Sequence, residues 1–138
     1  MPAAGSDQPV VLDASAALSL VLPDEVVSEN LPALIATRPI VTPPLFPAEL
    51  ANGLTMAVGR ERLSAAAADR AARLLQSLPI VTVTTDYTVL DLLRRSMSED
   101  ISSYDAAYLQ LAMRLGATLA TADSQLRARA VALGLGVT

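Results

Sequence analysis

A chain of 138 residues with 52% hydrophobic side chains is long enough to bury roughly two-thirds of its unfolded surface in one domain, with no covalent staple. It contains no cysteine, no histidine and no lysine, all ten basic residues being arginine, which excludes disulfide frameworks, thiolate or imidazole zinc sites, Ser-His-Asp triads and the lysine-dependent phosphate loop. A net charge of −4 argues against a broad basic nucleic-acid face and leaves carboxylates, hydroxyls, amides, arginine and an oxygen-bound metal such as Mg²⁺ to carry any chemistry.

Residues 1–8, MPAAGSDQ, lack the charged start and long apolar stretch of a signal peptide and read as a disordered lead to a cytoplasmic protein, with 9–138 forming one domain. Val10 to Leu12 form a short apolar strand, and the alanines and leucines of ASAALSLVL favour a helix up to Pro23. A second helix is expected from Pro23-Asp24-Glu25, acids leading, towards Thr37. PIVTPP, from Pro39, is a second strand. LFPAELANGLTMAVGR is helical by composition and stops near Gly59, while LSAAAADRAARLLQSL starts at Ser64 and keeps helical period through Leu74, Leu75 and Leu78.

PIVTVTT, rich in β-branched residues, is a third strand, with Thr85 or Asp86 expected to cap the helix YTVLDLLRRSMSE. YDAAYLQLAMRLG follows as a helix closed by Gly116, ATLAT as a fourth strand, DSQLRARAVALG as a last helix and LGVT as a possible fifth strand. Strand and helix alternate throughout, so the expected fold is α/β: a three-layer α/β/α sandwich around a mainly parallel sheet of four to five strands. No apolar run approaches the roughly 18 to 20 residues that span a bilayer, and the high mean hydropathy of +0.43 points to a protein partner instead.

Ligands of open parallel sheets bind beyond the carboxyl ends of the strands. Asp13 follows the first strand and Asp123 the fourth, so both project over one edge, and Asp86 after the third strand competes with them. Asp105 opens the helix leading into strand four. Glu49 lies one turn inside the helix after strand two, beside the apolar stripe Leu50, Leu54 and Ala57, flanked by Phe46, Asn52 and Met56. Singly, each acid has a plain explanation: Asp13 and Asp123 as helix caps, Asp105 in a near capping box with Ser102, and Glu49 as a surface or ion-paired glutamate. Four carboxylates sharing one edge would repel one another unless a cation lay between them.

The segments VVLDASAAL, PPLFPAELANGL and SSYDAAYLQLAMRLGATLATADSQLRARA resemble a PIN domain, and within that group the VapC-like toxins of bacterial type II toxin–antitoxin pairs, over nearly the whole chain from Val10 to Val137. The resemblance implies that Asp13, Glu49, Asp105 and Asp123 are the metal-binding acids, with Ser15 and Thr121 as supporting hydroxyls and Asn52 as a polar neighbour of Glu49. It further implies an Mg²⁺- or Mn²⁺-dependent ribonuclease, a homodimer and a VapB-like antitoxin. In a chain without lysine the RNA track would fall to Arg60, Arg62, Arg94, Arg95, Arg127 and Arg129, each pair of which also suits a solvated helix face. The leucine-rich second helix and the alanine-rich one from Ser64 are the expected dimer patch.

Phosphodiester hydrolysis requires water to be deprotonated near neutral pH and the leaving oxygen stabilised, which two divalent ions roughly 3.5–4 Å apart accomplish together. Two alternatives stand beside this reading. A haloacid dehalogenase-type phosphatase needs a second acid two residues after Asp13, where Ser15 stands, and a receiver domain needs a lysine. A non-catalytic module with every acid a cap leaves the setting of Glu49 unexplained.

Overall fold

In the computed structural model, which describes residues 7–138, the chain order is β1 (Val10–Leu12), α1 (Ala14–Ser19), α2 (Leu31–Thr37), β2 (Ile40–Thr42), α3 (Phe46–Gly59), α4 (Ala65–Ser77), β3 (Ile80–Thr82), α5 (Val89–Glu99), α6 (Ser103–Leu115), β4 (Thr118–Ala120) and α7 (Ser124–Ala132). Most of the expected disordered lead, residues 1–6, lies outside the described residues; at its end the Gln8 side-chain amide donates to the Gly116 carbonyl.

All four strands run parallel in the order β3-β2-β1-β4. Val10, Val11 and Leu12 are wholly buried, as a central strand covered on both faces requires. Helix α6 lies on β1 and β4 and contacts α5 and α7, while α1, α3 and α4 pack together as a second group. Fully buried Leu109, Leu111, Leu119 and Leu126 knit α6, β4 and α7 into the core, each contributing about 2 kcal/mol. From β1 the sheet grows one way through β2 to β3, and the chain then returns to place β4 on the other side. The reversal opens a crevice between the carboxyl ends of β1 and β4, paired in register as Leu12 with Ala120.

Most helix ends fall where local chemistry places them. The hydroxyls of Ser64 and Ser102 accept from the amides of Ala67 and Asp105, and Gly116 closes α6 in the left-handed region at φ 58°. The expected fifth strand is reduced to a parallel bridge between Leu119 and Val137, at the edge of β4.

Two expectations are corrected. The second helix does not begin at Pro23; α2 starts at Leu31, and residues 23–30 are irregular. Pro32 has no amide hydrogen and its ring collides with the carbonyl four residues back, so it belongs in a first turn and cannot sit inside a helix running from residue 24. Asp24 and Glu25 are instead held by the Arg62 guanidinium at 2.7 and 3.2 Å.

Nor is α5 capped by Thr85 or Asp86. Thr88 accepts from the Asp91 amide and Asp91 returns a bond to the Thr88 amide, a reciprocal capping box, while Asp86 pairs with Arg114 at 2.8 Å. Thr88→Ala is therefore expected to cost about 1 kcal/mol, seen as a lower urea midpoint at unchanged slope, whereas Thr85→Ala should stay within about 0.5 kcal/mol of the parent.

Candidate functional site

Asp13 is the first residue beyond β1, with its backbone amide still donating to the Ala120 carbonyl at 3.0 Å, so the strand ladder fixes it over the crevice. Its side chain caps α1: Oδ1 accepts from the Ala16 amide at 2.9 Å and from the Ser15 hydroxyl at 2.7 Å. Asp123 repeats the arrangement at α7, where Oδ1 accepts from the Leu126 amide at 2.9 Å. A carboxylate has two oxygens, so capping with Oδ1 leaves Oδ2 of each aspartate available to the crevice. The capping and metal-binding readings of these residues are compatible.

The hydroxyls of Ser15 and Thr121 join the two loops. Ser15 Oγ lies 3.3 Å from Thr121 Oγ1 and accepts from the Ala122 amide at 2.9 Å; Thr121 Oγ1 accepts from the Asp123 amide at 3.0 Å. Each hydroxyl belongs to one strand end and bonds to the other loop or to its acid, so Asp13 and Asp123 are held by a shared bridge. Asn52, by contrast, is exposed and directs its amide to the Met56 sulfur at 3.6 Å, with no hydrogen bond to Glu49.

The four acids from four segments act on one another electrically. Asp13 is only 3% exposed, and burial raises its proton affinity, with the Asp123 charge adding to the effect. Glu49 is raised by burial and then by Asp13. Asp105, in the first turn of α6, is held at about 6 by burial and then by Asp123, Asp13 and Glu49. It therefore senses all three of the others, as residues on one pocket do. Among the described residues no three acidic side chains stand close enough to enclose an ion as they are placed. The carboxylates are gathered at the crevice but not closed into a shell.

Asp86, the competing acid, is exposed and bound to Arg114, outside this group. The expected arginine track is thinner than six residues: Arg62 is committed to Asp24 and Glu25, and Arg95 to Glu99 at 3.4 Å and Gln110 at 2.9 Å. Arg127, one helical turn after Asp123, donates to the Thr121 carbonyl at 2.6 Å and so places a cation beside the acids. From there a groove of about 410 Å³ runs past Ala16, Ala122 and Arg127 towards Glu25 and Ser28.

One residue of the site was not singled out in the sequence. Tyr108 of α6 is 1% exposed, and its hydroxyl has no hydrogen-bond partner, nor has the buried Oε1 of Glu49. The available signal was its spacing: Tyr108 lies three residues after Asp105, on the same helix face.

A PIN-domain family model matches residues 10–132. This chain belongs to the PIN-domain family. Within it, the chain is 37% identical over 119 residues to Ribonuclease VapC9 of Mycobacterium tuberculosis and to VapC ribonuclease Mb0985 of Mycobacterium bovis, the matches covering 85% of this chain and 87% of each relative. Its fold is similar to the crystal structure of PAE2754 from Pyrobaculum aerophilum, with a TM-score of 0.68 and 25% identity over 91% of this chain and 87% of that chain. The all-parallel sheet with its flanking helices agrees with that likeness and with the expected α/β sandwich. Among the described residues no helix is long and apolar enough to cross a membrane.

Proposed function

We propose that this PIN domain is the ribonuclease toxin of a toxin–antitoxin pair, hydrolysing RNA phosphodiester bonds with Mg²⁺ or Mn²⁺ held by Asp13, Glu49, Asp105 and Asp123. The observation that carries the reading is the convergence of four acids on the switch point of the sheet, where Asp105 feels the charges of Asp123, Asp13 and Glu49. The ribonuclease relatives, matched over most of both chains, support the same activity.

The donor set suits such an ion. Mg²⁺ takes oxygen ligands and retains several waters, and the pocket offers carboxylates with no sulfur or imidazole. Proton affinities raised by burial and then by neighbouring carboxylates, together with an unpartnered buried Glu49 oxygen, suit a bound cation there. A bound cation would neutralise that charge, activate water and stabilise the leaving oxygen.

The chain's own residues supply position. The Ser15–Thr121 bridge fixes Asp13 and Asp123 relative to each other, so a substrate phosphate meets preset acceptors. Arg127, pinned to the Thr121 carbonyl, offers the phosphate a nearby positive charge. A VapB-like antitoxin and a second copy of this chain complete the reading as partners. An apolar groove between Leu20, Val21, Pro32, Ile35, Leu74 and Leu78 joins α2 to α4, the two helices expected to supply a self-complementary patch. Light scattering that finds a monomer at every concentration rejects the dimer.

The activity is tested by incubating the full chain with single-stranded RNA and Mg²⁺ or Mn²⁺. Cleavage that stops on chelation and resumes on adding the cation is expected. RNA left intact under both cations would reject the reading, and phosphate release from a small phosphomonoester without RNA cleavage would point to a phosphatase.

A further inference from the structure

Glu49 differs from Asp13 and Asp123 in lacking any hydrogen bond of its own. Asp13 and Asp123 each have one oxygen fixed by a backbone amide, whereas Glu49 sits in the first turn of α3 on a longer, freer side chain. Its Oε1 is closed to solvent and unpartnered, although the residue as a whole is half-buried. A buried carboxylate oxygen without a donor is costly. Something must face it.

The group that faces it is Tyr108. The phenol oxygen is equally buried and equally unpartnered, on a residue 1% exposed. The two side chains lie close enough to act on each other, although as placed they complete no hydrogen bond: the proton affinity of Glu49, raised first by burial, is moderated by the nearby Tyr108 hydroxyl, and burial followed by Glu49 keeps the Tyr108 proton in place. The tyrosine is thus a permanent donor beside a permanent acceptor. They come from different elements, α6 and α3, so their meeting is a tertiary arrangement and not a local turn. On α6 the same face carries Asp105 one turn earlier.

We infer that Tyr108 is a positioning residue that aims Glu49, its hydroxyl donating to Oε1 so that Oε2 is presented to the cation pocket. The inference rests on the metal-site reading above and adds a residue to it. Tyr108 lies below the pocket and touches neither cation nor RNA; it acts only through the glutamate. Hydrogen-bond donors behind ligating carboxylates typically govern metal affinity by 10- to 100-fold.

The test is titration calorimetry of the full chain with MnCl₂ alone, together with melting curves without metal, for the wild type, Tyr108→Phe, Glu49→Gln and the double variant. Tyr108→Phe is expected to weaken Mn²⁺ binding by about 10-fold. Its metal-free melting temperature should fall by no more than a few degrees, because the phenylalanine keeps the packed ring and only the donor to Oε1 is lost. In the Glu49→Gln background the tyrosine change should cost less than about two-fold more, since the carboxylate it aims is gone. Wild-type Mn²⁺ affinity in Tyr108→Phe, or losses that multiply fully in the double variant, would overturn the positioning role and leave the metal site standing. A lower metal-free melting temperature with unchanged affinity would make Tyr108 a purely structural residue. If the wild type itself takes up no Mn²⁺, the metal-site reading fails and this inference with it.

Discussion

Asp13→Asn is expected to lower RNA cleavage by about 10³-fold while leaving the fold intact and the metal-free protein more stable. The substitution is nearly isosteric. Oδ1 of the asparagine still accepts from the Ala16 amide and the Ser15 hydroxyl, so α1 keeps its cap. What changes is the other position, where an acceptor becomes an NH₂ donor and a full negative charge disappears. A cation held by carboxylates supplies several kcal/mol of transition-state stabilisation, and losing about 4 kcal/mol corresponds to the stated factor. Removing one buried charge also relieves its desolvation and its repulsion with Asp123, so the melting temperature without metal should rise by a few degrees. Activity and stability then move in opposite directions, which a fluorescent RNA cleavage assay and a melting curve read independently. Asp123→Asn should lower cleavage to a similar extent, and either variant should relieve growth inhibition when the chain is expressed. Full cleavage by both variants would remove the chemistry from these acids.

The site was legible in the sequence to the extent that local rules fixed it. Asp13 and Asp123 were readable because a parallel strand ends on them and a helix begins there, and both turn out to cap their helices. Glu49 stood out through its apolar surroundings. Asp105 was tied to the others chiefly by the family resemblance, since its position after Ser102 is also an ordinary first-turn arrangement. Helices α4, α6 and α7 were found nearly whole for the same local reason, their capping side chains and, in α6, a closing glycine acting within a few residues.

What escaped depends on partners far away in the chain. Asp24 and Glu25 look like a helix start until Arg62, nearly forty residues on, claims them. Tyr108 looks like one more core aromatic until its hydroxyl is seen to be buried without a hydrogen-bond partner, beside the glutamate of another helix. The arginine track was overcounted because no sequence pattern reveals that Arg62 and Arg95 are already paired. The proline at position 32 was the one local signal that should have shortened the second helix.

Adding Mn²⁺ at about 100 times its dissociation constant at pH 7 is expected to stabilise the chain by about 2.7 kcal/mol, roughly 10 °C in melting temperature, and to do far less at pH 4.5. The pH dependence follows from the sign of the shifts. Asp105 is held at about 6, above the ordinary 3.8 of an aspartate, so the folded chain binds its proton more tightly than the unfolded chain. Its contribution to stability is complete below about 3.8 and is lost as pH rises through about 6. Asp13 and Glu49, raised mainly by burial, act in the same direction. Asp105 is half-exposed, and solvent screening reduces its share to roughly 1 kcal/mol. The ion pairs of Asp24 with Arg62 and Asp86 with Arg114 hold those carboxyls below the usual range, so they titrate under the window tested and do not mask it. Without metal, the melting temperature should therefore fall between pH 4 and pH 6.5, the reverse of ordinary acid denaturation. With Mn²⁺ it should rise over the same interval, because the cation competes with protons for the same oxygens. Asp105→Asn should flatten the metal-free slope. A Mn²⁺ stabilisation of equal size at pH 4.5 and pH 7 would mean that the ion binds elsewhere, and none at either pH would leave the four acids without the counter-charge that explains their gathering.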